Sequence, residues 1–278
     1  MVFKPISEEV FIAFDLETTG LHPVMSRIIE IGAFRFQGDG TVLKSFQQLI
    51  DPRCEISPGA MAVNGISNEM VAEQPLIEEV LPAFALFIGN DPVMMMAHNA
   101  GFDMGFLSVA YSRLGMQKPL HPVIDALTLA RHRLVLPNYR LETVGRYLGL
   151  IDVAVHRALE DALLLKDIFL DLIALSPAIG STAELCQMAP ALGFDQFEAA
   201  LKKPPAGFEA LWKAIADRQP VAIEYIGGST PGAIRTITPL DVIQSGGRTY
   251  LSAYCHKSNM NKTYRLDLIA SYSKLEYG

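Results

Sequence analysis

The stretch "FDLETTGLHP" (14–23) carries two carboxylates, Asp15 and Glu17, one residue apart at the end of the apolar run 10–14. Residues two apart on an extended strand face the same way, so the two acids project together. A buried strand that ends in paired carboxylates needs a positive charge to face. Two further stretches bring more acid. In "HNAGFDMGFL" (98–107), Asp103 stands near the start of a predicted helix, where the helix dipole favours a carboxylate. In "HRALEDALLL" (156–165), His156 precedes Asp161 by five residues at the head of a long predicted helix. Taken singly, each has an ordinary reading: a solvated strand end, a helix-start acid, a first-turn acid and a surface histidine. Taken together, they are four carboxylates and an imidazole, each at a strand end or a helix start. Magnesium and manganese take oxygen ligands, and four acids suffice for two such ions about 4 Å apart. The chemistry that such a pair supplies is activation of water and stabilisation of a leaving oxygen. An imidazole can take the water's proton.

The elements that must position these groups follow from the pattern. Residues 10–16, 27–36 and 42–50 read as three strands, the last two joined by the turn "QGDG", which predicts an antiparallel meander. The spacing predicts a helix over 74–89, a strand over 93–97 and a helix over 103–114. Another helix starts near Asp125, a short one ends at Gly149, and a long buried one lies within 159–175. Strands followed by alternating helix and strand predict an α/β fold with a mixed sheet.

The stretch 179–206, rich in Pro, Gly and Ala, reads as a linker with short helical pieces between a first domain (1–178) and a second (207–278). The second opens with a helix that places Phe208, Leu211, Trp212 and Ile215 on one face. Short β-type runs follow it, predicting a small β-rich half-barrel.

Composition sets the outer bounds. The chain has 278 residues, half of them hydrophobic, which is enough for two cores. Its net charge of −7 excludes a general nucleic-acid coat protein. It does not exclude an enzyme acting on nucleic acid, because carboxylates gathered around cations do not repel phosphate. Three cysteines (Cys54, Cys186, Cys255) without paired spacing predict neither disulfides nor a zinc site. No segment approaches the roughly 20 apolar residues of a membrane span, and the N-terminus lacks a signal pattern. The expectation is a cytoplasmic protein with no membrane partner.

In this order, "FDLETTGL", "HNAGFDMGFL" and "HRALEDA" resemble the three motifs of the DnaQ-like (DEDDh) exonucleases, a family that includes the proofreading epsilon subunit of bacterial DNA polymerase III. The likeness covers roughly residues 9–175. It implies a ribonuclease H-like fold and a two-metal 3′→5′ exonuclease that releases nucleoside 5′-monophosphates. It also implies Mg²⁺ as the cofactor with Mn²⁺ as a substitute, and partners that are single-stranded DNA or RNA 3′ ends within a replication or repair complex. Carried over by position, Asp15, Glu17, Asp103 and Asp161 are metal ligands, and His156 is the general base. Leu16, Thr18 and Thr19 line the terminal nucleotide, with His98, Asn99 and Phe102 near the substrate. Glu30 ranks as structural, since it lies mid-strand between Ile29 and Ile31. Asn64 stands where many relatives carry histidine.

The C-terminal stretch resembles a WYL domain, a small Sm-like β-barrel, over about 207–278. "RTYLSAYC" stands for the Trp-Tyr-Leu signature, with Thr249 in place of Trp. Lys262 and Leu268 replace arginines usual in that family, while Arg235, Tyr250 and Arg265 keep their places as a candidate ligand site. Arginines and tyrosines so mixed suit phosphate and bases, or else an ordinary thin β core with a basic rim. Two alternatives stay open from sequence: a nucleic-acid- or ligand-binding regulator with a silent nuclease domain, and an RNA-trimming exonuclease.

Overall fold

A computed structural model describes residues 5–152, 156–176, 179–197, 205–245 and 247–274. The N-terminal half is built on five strands: β1 (Val10–Thr18), β2 (Ile28–Gln37), β3 (Val42–Leu49), β4 (Met94–Ala97) and β5 (Val123–Asp125). They lie in the order β3-β2-β1-β4-β5. The first three form the predicted antiparallel meander, and β4 and β5 run parallel to β1.

Central strand β1 is buried on both sides, so it reads as a continuous apolar run rather than an alternating one. Ile12, Phe14 and Leu16 enter one core. It is covered by α3 (Ile77–Ile88) and α4 (Gly101–Arg113). Phe11 and Ala13 enter the other. There they meet α5 (Ala126–Arg133), α6 (Leu141–Tyr147) and α7 (Ala158–Ala174). Asp15 and Glu17 continue the second series by the two-residue period, so both project toward α7.

Two short helices not foreseen from sequence, α1 (Pro58–Asn64) and α2 (Asn68–Val71), lie between β3 and α3. Ser57 and Ser67 cap them, accepting from Ala60 and Met70 amides. Strand β5 was also unforeseen, since three residues are too few to show a period. The stretch read as a linker contains α8 (Thr182–Met188), and Leu185, Ala189 and Phe194 are buried in the cores of the N-terminal half.

The C-terminal half begins with α9 (Glu209–Ala216). Behind it comes a sheet of β6 (Val221–Tyr225), β7 (Ala233–Ser245), β8 (Arg248–Cys255), β9 (Met260–Arg265) and β10 (Ile269–Lys274). The order is β10-β6-β7-β8-β9, antiparallel throughout. Strands β9 and β10 stand at opposite edges of this β-rich sheet. Leu211 and Ala214 of α9 fill its core, with Phe208, Trp212 and Ile215 packed alongside.

Candidate active site

Helix α7 sits directly on β2. A side chain at Gly32 would come within 2.1 Å of the Ala158 backbone, so only glycine admits this approach. A second fastening lies two residues earlier on the strand. Glu30 is fully buried and accepts from Arg157 Nη2 (2.7 Å), Arg157 Nε (3.0 Å), Gln47 Nε2 (3.0 Å) and the Ala158 amide (3.2 Å). Burial alone would raise the Glu30 pKa, but these four bonds outweigh it and lower it. With its N-terminus pinned, α7 presents Asp161 to Asp15 and Glu17. Oxygen atoms of the three carboxylates lie within 4.8 Å of one another.

Asp103 approaches from the other layer, on the first turn of α4, and is 2 % exposed. The turn that delivers it is held from β5. Asp125 Oδ1 accepts from the amides of Asn99 (2.9 Å) and Ala100 (3.3 Å), and Asn99 adopts a left-handed φ of 64°. Asp103 Oδ1 is buried and has no hydrogen-bond partner among the described residues.

The electrostatics favour cations at this site. Burial, then the charges of Asp103, Asp161 and Glu17, push the Asp15 pKa well up. Burial also raises Asp103, despite the backbone amides that favour its charged form. Glu17 rises to about 7, mainly by burial and against a hydrogen bond from Asn64. Asp161 rises to about 7 through burial and then the charge of Glu17. Carboxylates so crowded hold their protons unless a positive charge is supplied. An all-oxygen donor set with an orphaned buried oxygen fits hard divalent cations such as Mg²⁺ or Mn²⁺.

The remaining predicted residues are placed as follows. His156 is 43 % exposed, and its Nε2 lies 3.6 Å from Glu142 Oε2. The Leu16 side chain is buried in the core on the opposite face of β1. Thr18 Oγ1 donates to the Gly20 carbonyl (2.7 Å), and Thr19 Oγ1 accepts from the Arg27 amide (3.0 Å), so both hydroxyls shape the loop after β1. His98 Nε2 lies 2.7 Å from the Tyr139 carbonyl. Burial lowers the His98 pKa. Asn99 is exposed, and Phe102 packs its ring 4.9 Å from Phe106.

In the second domain, register pairs Tyr250 with Arg265. Tyr250 is buried with Val24, Val109 and Ile243, whereas Arg265 Nε bonds Asp267 (3.0 Å). Arg235, on β7, donates to Thr230 Oγ1 (2.6 Å).

Sequence reasoning missed four residues that hold this arrangement. In sequence Asn64 reads only as a departure from the family pattern, yet it is buried against Glu17, and its Nδ2 donates to the Thr18 carbonyl at 3.4 Å. Asp125, Glu142 and Arg157 act across long sequence separations. Only the helix-capping pattern at Asp125, which accepts from the Leu127 amide, gave a local signal.

Residues 12–169 match the family described as Exonuclease, and residues 206–273 match the WYL domain. The chain therefore belongs to the exonuclease family, with a WYL domain following the nuclease unit. It is 39 % identical over 160 residues to the PolC-type DNA polymerase III of Oceanobacillus iheyensis, covering 57 % of this chain and 11 % of that protein. It is 40 % identical over 172 residues to the PolC-type DNA polymerase III of Thermotoga petrophila, covering 62 % and 12 %. It thus spans only about a tenth of the length of these curated relatives.

Among solved structures, E. coli exonuclease I in complex with a dA16 oligonucleotide aligns with a TM-score of 0.57 at 15 % identity, covering 89 % of this chain and 55 % of that one. The nuclease domain of 3′hExo, a DEDDh family member bound to rAMP, aligns with a TM-score of 0.54 at 16 % identity, covering 61 % and 94 %. At such identities the likeness is one of fold, and that fold is the ribonuclease H-like one.

Proposed function

We propose that the chain is a metal-dependent 3′→5′ exonuclease that removes nucleoside 5′-monophosphates from single-stranded ends, DNA in preference to RNA, in proofreading or repair. The observation that carries this is the convergence of Asp15, Glu17 and Asp161 within 4.8 Å, beside an Asp103 whose buried Oδ1 has no partner among the described residues. The preference for DNA and the replication setting draw on the PolC-type polymerase relatives, and they are part of the proposal.

Asp15, Glu17, Asp103 and Asp161 would hold two divalent cations. When bound, the ions supply activation of water and neutralisation of charge at the scissile phosphate. The rest falls to the chain. Its carboxylates, deprotonated once paired, fix the ions on rigid strand and helix ends. His156, on the approach to α7, accepts the attacking water's proton once it turns from Glu142. By the family likeness, the backbone at Leu16, Thr18 and Thr19 would line the terminal nucleotide, with His98, Asn99 and Phe102 near the substrate. The WYL domain aids nucleic-acid binding or regulation through Arg235, Arg265 and the surface around them, with Tyr250 buried at the domain contact.

The test is degradation of matched 5′-labelled DNA and RNA strands with magnesium, manganese or chelator. The expected result is stepwise shortening of DNA with either metal and none with chelator. Strand that stays intact although it binds the chain would favour a binding module with a silent nuclease domain. Shortening of RNA alone would favour an RNA-trimming enzyme.

A further inference from the structure

The two domains meet on the loop that leaves β1. Between Thr19 and Arg27 this loop is closed on itself: the Thr19 amide donates to the Arg27 carbonyl (2.9 Å) and the Arg27 amide to Thr19 Oγ1 (3.0 Å). Inside it, the amides of Met25 and Ser26 donate to the His22 carbonyl at 3.0 and 2.8 Å. Val24 is 1 % exposed, and its side chain packs with Val109 of α4 and with Ile243 and Tyr250 of the C-terminal sheet. Its carbonyl accepts from three side chains: Arg113 Nη2 (2.7 Å), Thr263 Oγ1 (3.2 Å) and Arg27 Nη1 (3.4 Å).

Arg113 is the last residue of α4, and its Nε donates to Asp241 Oδ2 of β7 at 3.0 Å, with both side chains largely buried. Arg27 reaches across the same seam to Ser252 Oγ (2.9 Å). Two guanidiniums thus share a largely buried interface. Burial works against the charge of each, and at Arg27 the neighbouring Arg113 adds to the penalty. Asp241 is the carboxylate that opposes this at both. An interdomain contact made only for attachment would not need two buried cations converging on a carbonyl of the active-site loop, since apolar packing of the same area costs less desolvation.

What the seam grips bears directly on the site. The loop begins at Thr19, two residues after Glu17, and α4 carries Asp103 at one end and Arg113 at the other. Helices are stiff and packed cores transmit displacement, so the position of Arg113 constrains that of Asp103. We propose that Asp241 is a positioning residue for the nuclease site: through Arg113 and the Val24 carbonyl, the C-terminal domain sets the loop behind Glu17 and the far end of α4. For the site that it positions, this rests on the exonuclease reading above.

The test uses the full chain and Asp241→Asn, which keeps shape and removes the charge. Two quantities are measured: hydrogen exchange of the Thr19, Met25, Ser26 and Arg27 amides, and kcat for strand shortening at saturating strand and magnesium, well below the Tm. The expected result is at least tenfold faster exchange in those amides and at least tenfold lower kcat. A purely structural tether would instead loosen β7 and β8 and leave kcat within twofold of the parent chain, which overturns the proposal. If Asp241→Asn does not fold, Thr263→Val, which removes one hydroxyl donor from the Val24 carbonyl, carries the same readouts with an expected threefold change in each. If the parent chain shortens no strand, the exonuclease reading fails by itself. Exchange then decides alone: faster loop exchange supports the hold of the C-terminal domain on the loop, and unchanged exchange overturns it.

Discussion

Arg157 clasps the fully buried Glu30 through two guanidinium nitrogens, at 2.7 and 3.0 Å. This pair ties the middle of β2 to the residue beside His156 and to the first turn of α7. His156 and Asp161 therefore both hang from one buried carboxylate that touches neither.

Breaking that clasp should cost stability and activity together. Glu30→Gln leaves Arg157 without its charge partner, and loss of one member of a buried pair costs about 3–5 kcal/mol. Because the Arg157 side chain is 30 % exposed, water takes over part of its solvation, and about 2–3 kcal/mol is the expected loss in a urea unfolding curve. The lowered Glu30 pKa sets the pH window. Its contribution is full above the unfolded pKa of about 4.3 and is lost as pH falls through the still lower folded value. The difference between parent and Glu30→Gln should therefore shrink in acid.

The acidic cluster has the opposite sign. Glu17 and Asp161 titrate near 7 without metal, well above their unfolded values. A carboxylate with a raised folded pKa contributes stability that is full below its unfolded pKa of about 4 and is lost as pH rises through the folded value. Metal-free chain should thus lose about 1–3 kcal/mol between pH 5 and pH 8, seen as a falling Tm. Saturating magnesium should reduce or reverse the slope.

Asp103→Asn should separate function from folding. It removes a buried charge that burial and its neighbours already oppose, so the metal-free Tm should stay or rise. Strand shortening should be abolished, since one cation loses a ligand. A large drop in metal-free Tm would mark Asp103 as a structural cap instead.

His156→Ala should lower kcat by about 10²–10⁴-fold, the usual worth of a positioned general base, while leaving cation uptake intact. Near-normal turnover would remove the base assignment. Glu142→Gln, which removes the partner 3.6 Å from His156 Nε2, tests whether that pairing restrains the imidazole. Faster turnover is expected.

Much of this was legible in sequence because the carboxylates sit where local signals are strongest. Asp15 and Glu17 close a long apolar strand, and Asp103 and Asp161 fall in first helical turns, so period and capping locate all four. The partners that tune them were not legible. Arg157 meets Glu30 across 127 residues, and Asp241 meets Arg113 across 128, separations at which no periodic pattern carries information. Tyr250 shows the same limit. Its place in a signature motif suggested an accessible ligand site, whereas domain packing buries it with Val24 and Val109. Short elements also escaped, since β5 and α2 hold three and four residues.

The most direct measurement is calorimetric titration of the chain with Mn²⁺ at pH 8, beside Asp15→Asn and Asp161→Asn. Uptake of two ions per chain, weakened in both variants, is the predicted result. A well-folded chain that takes up no ion, or that binds Mn²⁺ equally well without those carboxylates, would contradict it.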